Sequence, residues 1–375
     1  MIKVMLVYGT RPEAIKMAPV ARELIGRSDV FRCIQCVTAQ HRQMLDQVME
    51  TFSLASDFDL DIMTTGQSPA DVGASILSKL PPVFDEVKPD FLLVQGDTMT
   101  TVSAAFAAYL QRIPVGHIEA GLRTGNLDHP FPEEMNRRLT SQLTTLHFPP
   151  TQGAMEALSR EGFTRSSIHV TGNTVIDALH QTLRQDYEFN EPALRHLEQG
   201  KKVILVTTHR RENFGEPLLD ICGAVAELAD SREDLVVVWP VHKNPAVSKT
   251  VRSRLSKRKN VVLIEPLEYR EFVHLMARSS IILSDSGGVQ EEAPSLNIPV
   301  LVLREATERP EGVSAGATQL VGTDAKKIVT STLKLLDDDN KYEKMASATN
   351  PYGDGKAAKR IADAIETYFR EKRRQ

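Results

Sequence analysis

The chain has 375 residues, 41% hydrophobic and 25% charged, with a net charge of −4 at pH 7. This is globular composition at a length that favours two domains. The slight acidic balance gives no whole-chain electrostatic case for nucleic acid or an anionic membrane. No stretch is long and apolar enough to span a bilayer. Met1–Tyr8 lacks a signal-peptide cleavage pattern, so the expected location is the cytoplasm.

Short Val/Ile/Leu runs alternate with helical segments along the chain. Strands are expected at Lys3–Tyr8, Cys33–Thr38, Phe91–Gln95, Val115–Ile118 and Leu146–Phe148. A second series covers Val203–Thr207, Leu235–Trp239, Val261–Ile264, Ile281–Leu283 and Val300–Leu303. Continuous apolar runs of this length, separated by helices, signal parallel strands buried on both faces. Two series imply an α/β fold of two doubly wound, Rossmann-like domains. The first is expected over residues 1–170 and the second over 171–355, facing each other across a central cleft. The amphipathic segment from about 356 to 375 is expected to pack back on the first. Its basic end, Arg370–Arg374, suits the negative end of a helix dipole. Cys33 and Cys36 have metal or redox spacing, but i and i+3 of a strand point to opposite faces and no second such pair exists, so core packing is expected.

In open parallel sheets ligands bind beyond the carboxyl ends of the strands, so the loops there carry the chemistry. After the first strand comes Gly9-Thr-Arg-Pro-Glu-Ala-Ile-Lys16, which is neither of the glycine-rich dinucleotide or P-loop fingerprints. No nicotinamide or other cofactor is therefore expected. Thr10 can cap a helix with Pro12 in its first turn, and Arg11 and Lys16 then flank a helix N-terminus suited to an anion. After the third strand, Asp97 stands where it would either cap helix Met99–Leu110 or act as an acid; both readings remain open. Glu119 ends the fourth strand and is followed at once by Ala120-Gly121, which a structural role alone does not explain. Glu133 and Glu134 open a helix. Carboxylates gathered at one edge of one sheet are what general acid/base chemistry on a bound substrate requires.

In the second series His209 and Arg210 follow a strand. Near its end, Ser284-Asp-Ser-Gly-Gly-Val-Gln-Glu-Glu-Ala-Pro294 leaves a strand through bare backbone and opens a helix loaded with acid. Ser286, Gly287 and Gly288 can bring N–H groups to a diphosphate, and Glu292 is a turn further, placed for the vicinal hydroxyls of a ribose. The ten histidines show no metal spacing, so no metal is expected.

Taken together with Thr38–Arg42, Gly116-His-Ile-Glu-Ala-Gly-Leu-Arg-Thr124, Phe131-Pro-Glu-Glu-Met-Asn-Arg137, Thr171–Asp177, His209-Arg-Arg-Glu-Asn213, Thr307-Glu-Arg-Pro-Glu311 and Asn350–Gly355, these motifs resemble, in order and from about residue 2 to 365, the bacterial non-hydrolysing UDP-N-acetylglucosamine 2-epimerases. The resemblance implies a GT-B fold and reversible conversion of UDP-N-acetylglucosamine to UDP-N-acetylmannosamine for cell-envelope polysaccharides. It implies elimination of UDP to a 2-acetamidoglucal and re-addition. It places Asp97, Glu119 and Glu133 on the catalytic carboxylates. Arg11, Lys16, His209, Phe272, Ser286, Gly287, Gly288, Glu292 and Arg309 fall on UDP-contacting positions. Gln40 and Gln43 fall on a second site where substrate itself activates the enzyme; the arginine that some members carry near Met63–Gln67 is absent here. A homodimer is expected, through helices of the first domain. Three alternatives share parts of this pattern: a hydrolysing epimerase releasing N-acetylmannosamine, a GT-B glycosyltransferase, and a catalytically silent nucleotide-sugar sensor.

Overall fold

The computed structural model describes residues 1–39, 42–64, 66–195, 197 and 200–374. The chain divides into two compact units, Met1–Gln181 with Tyr352–Gln375, and Thr182–Pro351. The seam lies later than residue 170 because helix Thr174–Thr182 belongs with the first unit. Its buried Asp177 accepts hydrogen bonds from the N–H groups of Ala357 (3.1 Å) and Ala358 (2.9 Å), closing the N-terminus of the last helix, Ala357–Lys372. That helix is fixed further by Arg27 on Asp363 (2.6 Å) and by Tyr368 and Phe369 against the ring of Phe91.

The first unit is a six-stranded parallel sheet of β1 (Ile2–Tyr8), β2 (Phe31–Val37), β3 (Phe58–Asp59), β4 (Phe91–Gln95), β5 (Val115–Ile118) and β6 (Leu146–Phe148), in the order β3-β2-β1-β4-β5-β6. Its central strands are buried on both faces: every residue of β4 and β5 is inaccessible, as continuous apolar runs require. The second unit repeats the design with β7 (Lys202–Thr207), β8 (Leu235–Pro240), β9 (Val261–Ile264), β10 (Ile281–Ser284), β11 (Val300–Val302) and β12 (Thr318–Leu320), in the order β12-β11-β10-β7-β8-β9. In each sheet the strand order reverses once, between β1 and β4 and between β7 and β10. Loops leaving the strands on either side of such a reversal diverge and open a crevice at the carboxyl edge.

The ten expected strands are all present, within two residues at their ends. The two not expected, β3 and β12, are edge strands of two and three residues that carry one apolar residue each, too little pattern to read. Cys36 lies in the core of the first unit, and burial pushes both its thiol and that of Cys33 up to about 12, so neither is a ready thiolate. Gln40 lies outside the described residues, and for Gln43 only the backbone is described, in helix Arg42–Phe52. Among the described residues no helix is long and apolar enough to cross a membrane.

Candidate active site

In the first unit the site begins with Glu13. Thr10 caps helix Arg11–Gly26, and Glu13, three residues on, completes a capping box. Its carboxylate accepts the N–H groups of Gly9 (3.0 Å) and Thr10 (2.8 Å) and also the hydroxyls of Thr98 (2.6 Å) and Thr101 (3.2 Å). One buried carboxylate thus ties the loop after β1 to the loop after β4, across the reversal in strand order. Burial raises its proton affinity, with the hydrogen bonds from Thr98, Gly9 and Thr10 opposing. There is no room at Gly9: a Cβ there would lie 1.9 Å from Oγ1 of Thr38, just after β2, and 2.8 Å from Oγ1 of Thr100, after β4. The Thr-x-x-Glu spacing was present in the sequence as a capping signature, but its second function, reaching to β4, was not.

Lys16, one turn further along the same helix, donates to Oε2 of Glu119 at 2.6 Å. Gln95 at the end of β4 donates to the same oxygen, and Asn173 reaches Oε1 at 3.3 Å. Glu119 is only 7% exposed and has φ of 65°, a left-handed conformation that non-glycine residues adopt in a few per cent of cases. Strain of this kind persists where surroundings over-determine it, which happens most at functional sites. It is a direct reason to treat Glu119 as more than a strand end.

Asp97 does not cap helix Met99–Leu110. Thr98 does, its hydroxyl accepting the N–H of Thr101 at 3.2 Å. The carboxylate of Asp97 instead meets Arg137 through Nε (2.9 Å) and Nη2 (2.7 Å), while Asn136 donates to its backbone carbonyl (2.9 Å). Helix Glu133–Leu143 therefore anchors Asp97 from the side. Glu134, in that helix, is fully buried and serves as a structural acid, accepting the N–H of Thr124 (3.0 Å) and lying 3.4 Å from both Arg137 and Arg138. Glu133, the first helical residue, differs: among the described residues nothing engages its carboxylate. It lines a cavity of about 360 Å³ with Thr10, Gln67, Thr98, Pro132 and Asn136. Arg11 is half-buried at the start of its helix.

Behind these acids two histidines face each other in register across β5 and β6. Nε2 of His117 donates to the carbonyl of Gly96 (2.7 Å), holding the loop that carries Asp97. Burial pushes His117 down to about 4, and His147 down to about 3. Both are neutral at physiological pH. Among the described residues both ring nitrogens of His147 lack a hydrogen-bond partner, and its ring lies 4.6 Å from that of Phe163.

In the second unit β10 runs into Asp285 and Ser286, which stands at the cap of the short helix Gly287–Glu292 without a side-chain cap bond. A Cβ on Gly287 would meet Nη2 of Arg210 at 3.7 Å and the guanidinium of Arg309 at 3.9 Å. Two cations thus overhang a turn stripped of side chains, an arrangement built for an anion. The two glutamates behind diverge. Glu291 pairs with Arg309; Glu292, 6% exposed, accepts the hydroxyl of Tyr269 at 2.8 Å. Tyr269 opens helix Tyr269–Ala277, which also presents the half-buried Phe272. His209, after β7, sets Nδ1 3.1 Å from Oδ1 of Asp285. Sequence reading named the serine, both glycines, Glu292, Phe272, His209 and Arg309, but missed Asp285 and Tyr269, which hold His209 and Glu292, as it missed Glu13 in the first unit. Among the described residues no group of three or more His, Cys, Asp or Glu side chains is placed to hold a metal.

Residues 23–366 match the UDP-N-acetylglucosamine 2-epimerase family. The chain is 51% identical to the UDP-N-acetylglucosamine 2-epimerase of Escherichia coli K12, over 97% of this chain and 98% of that one. It is likewise 51% identical to the Salmonella typhimurium enzyme of the same name, over 98% and 99%. The crystal structure of the Neisseria meningitidis UDP-GlcNAc 2-epimerase bound to UDP-GlcNAc is 50% identical with a TM-score of 0.89, covering 98% of this chain and all of that one.

The buried, unpartnered His147 generates a stability prediction. Its folded-state proton affinity lies below its unfolded value of 6.5. Above that pH both states are neutral and stability is flat; as pH falls toward about 3 only the unfolded state takes the proton and stability is lost. His147→Phe should therefore stabilise the first unit, and by more at about pH 5 than at about pH 8. Urea denaturation at the two pH values checks this; an equal gain at both would contradict it.

Proposed function

The chain belongs to the UDP-N-acetylglucosamine 2-epimerase family, enzymes that invert C2 of the sugar, and we propose that it does so without net hydrolysis, by eliminating UDP and adding it back. The observation that carries this reading is the set of acids at the carboxyl edge of the first sheet: Glu119 held strained by Lys16, Gln95 and Asn173, Asp97 held by Arg137, and Glu133 open to its cavity. No carbonyl lies next to C2, so a carboxylate cannot take its proton directly. Loosening the C1–O bond first builds oxocarbenium character at C1 and makes the C2 proton acidic. A carboxylate then removes it, giving 2-acetamidoglucal and UDP. Protonation of the glycal from the other face, with return of UDP to C1, gives UDP-N-acetylmannosamine. Two faces require separate acid/base groups, which several carboxylates supply.

On this reading the second unit holds the leaving group. The N–H groups of the Ser286–Gly288 turn, with Arg309 and Arg210, take the diphosphate. Glu292, steadied by Tyr269, takes the ribose hydroxyls, and Phe272 lies against the uracil. His209 and Arg11 complete the contacts to UDP. Lys16, expected on UDP, is proposed to act first on Glu119, its observed ion partner. We place the reaction in the cytoplasm, where uridine nucleotides are made.

Asp97→Asn, Glu119→Gln and Glu133→Gln should each lower turnover by at least ~100-fold, the usual worth of a positioned acid or base, while UDP affinity by calorimetry stays within a few-fold. Loss of folding or of UDP binding in place of turnover would assign these acids to structure.

The mechanism itself is read in deuterated water. The product should carry deuterium at C2 by NMR, with no added nicotinamide, because the returning proton comes from a group in exchange with solvent. Retention of the original hydrogen would contradict elimination, and stoichiometric free N-acetylmannosamine would identify a hydrolase.

We also propose a homodimer. Phe106, Tyr109 and Leu110 on helix Met99–Leu110, and Met135 and Leu139 on helix Glu133–Leu143, are 39–64% exposed, a large apolar display for two neighbouring helices. Light scattering should give twice the 41.6 kDa of one chain; a monomer at micromolar concentration would refute it.

A further inference from the structure

Asp285 has no role in the chemistry described so far, yet it is the most fully committed carboxylate of the second unit. It is completely buried at the end of β10, beside the reversal in strand order. Its Oδ2 accepts the N–H groups of His209 (3.1 Å) and Arg210 (3.0 Å) and the side-chain amide of Asn213 (2.9 Å). Its Oδ1 lies 3.1 Å from Nδ1 of His209. Burial alone would raise its proton affinity; the bonds from His209 and Arg210 outweigh that and hold it below the usual carboxylate range, as an acceptor only. The imidazole it grips is 45% exposed, and among the described residues nothing engages Nε2.

We propose that Asp285 is a positioning residue that fixes the tautomer of His209, holding the Nδ1 proton toward the core so that Nε2 is the nitrogen presented to the diphosphate leaving group. The inference rests on the reading that His209 faces UDP. It adds a consequence that reading lacks. A carboxylate and a phosphate oxygen are both acceptors, so a ring held between them must carry a proton on each nitrogen while the nucleotide is bound. His209 then meets the negative charge that develops on UDP as a donor, and its own positive charge is balanced by an aspartate that substrate never touches.

The chemistry of the replacement makes the test sharp. In Asp285→Asn the amide oxygen must stay on the Oδ2 side, where three N–H groups point. The amide NH2 is then turned to Nδ1, which can only accept, and the proton moves to Nε2. Nitrogen-15 NMR of the imidazole-labelled, full-length protein reads this directly. Without ligand the wild type should show a protonated Nδ1 on His209, and Asp285→Asn should show the opposite tautomer. With UDP added, the wild type should show both nitrogens protonated. Turnover of Asp285→Asn should fall by about 10- to 100-fold, with KM changed far less. An unprotonated Nδ1 in the free wild type overturns the proposal, and that measurement needs no variant to fold. An unchanged tautomer in Asp285→Asn overturns it as well. His209→Gln separates the two layers: wild-type turnover in that variant would dismiss the contact between His209 and UDP, whatever the tautomer proves to be.

Discussion

The reversal of strand order in each sheet is the constraint from which the site follows. A parallel sheet must send every connection over one face or the other, and where the direction changes, two neighbouring strand ends are left uncovered. In the first unit these are the ends of β1 and β4; in the second, of β7 and β10. The residues of interest leave these ends or their immediate neighbours: Gly9–Lys16 and Asp97, with Glu119 one strand over; His209–Arg210 and Asp285–Gly288. Backbone N–H groups at such ends have no strand to pair with, and buried donors must be satisfied. The chain meets that demand with carboxylates: Glu13 accepts the N–H groups of its own loop and the hydroxyls of Thr98 and Thr101 across the reversal, and Asp285 accepts backbone N–H groups from the loop across the reversal in the second unit.

Burying a carboxylate is expensive unless its hydrogen bonds are made, and an uncompensated one costs several kcal/mol. Hydrogen bonds to a charged group return about 1.5–3 kcal/mol each, so those accepted by Glu13 reduce the cost of its burial without cancelling it, and its proton affinity stays raised. The arrangement fixes two loops at once, and with them the acids they carry. The same economy explains the pairing of Glu119 with Lys16 and of Asp97 with Arg137. Each candidate acid arrives with a rigid, charged partner already in place, which is what preorganisation requires of groups that must act without reorganising. Glu133 is the exception: among the described residues nothing engages its carboxylate, which on the proposed reading leaves both oxygens for substrate.

How much of this could be read from the residues depends on the range of the interaction. Ten strands were legible, as was the Thr10 cap, because burial and capping leave local patterns. The edge strands β3 and β12 were not, since each carries a single apolar residue. The competition over Asp97 could not be settled from sequence, because Asp97 and Thr98 are both competent caps and the decision rests on Arg137, which is brought alongside only by the fold. Asp285 and Tyr269 went unassigned for the same reason. Asp285 stands in plain view beside Ser286 and Gly287, but its function is to hold a histidine that precedes it by 76 residues. The resemblance named residues proposed to contact a ligand; it did not name the residues that hold them in place.

That division matters for the chemistry proposed. An elimination that must be undone on the other face of the sugar needs two properties at once. The acids must be numerous and distinct in environment, so that one holds a proton while another lacks it, and the leaving group must be retained. The first unit meets the former requirement with three carboxylates in three settings: ion-paired to lysine in a strained turn, ion-paired to arginine, and open. On the proposed reading the second unit meets the latter with positive charge, in Arg210, Arg309 and the bare N–H groups of a glycine turn. Fixed donors stabilise a departing diphosphate without committing a proton to it, so UDP remains a competent nucleophile for its own return. A hydrolase has no use for that restraint. The balance between the two outcomes is therefore a property of how UDP is held as much as of the acids that move the C2 proton.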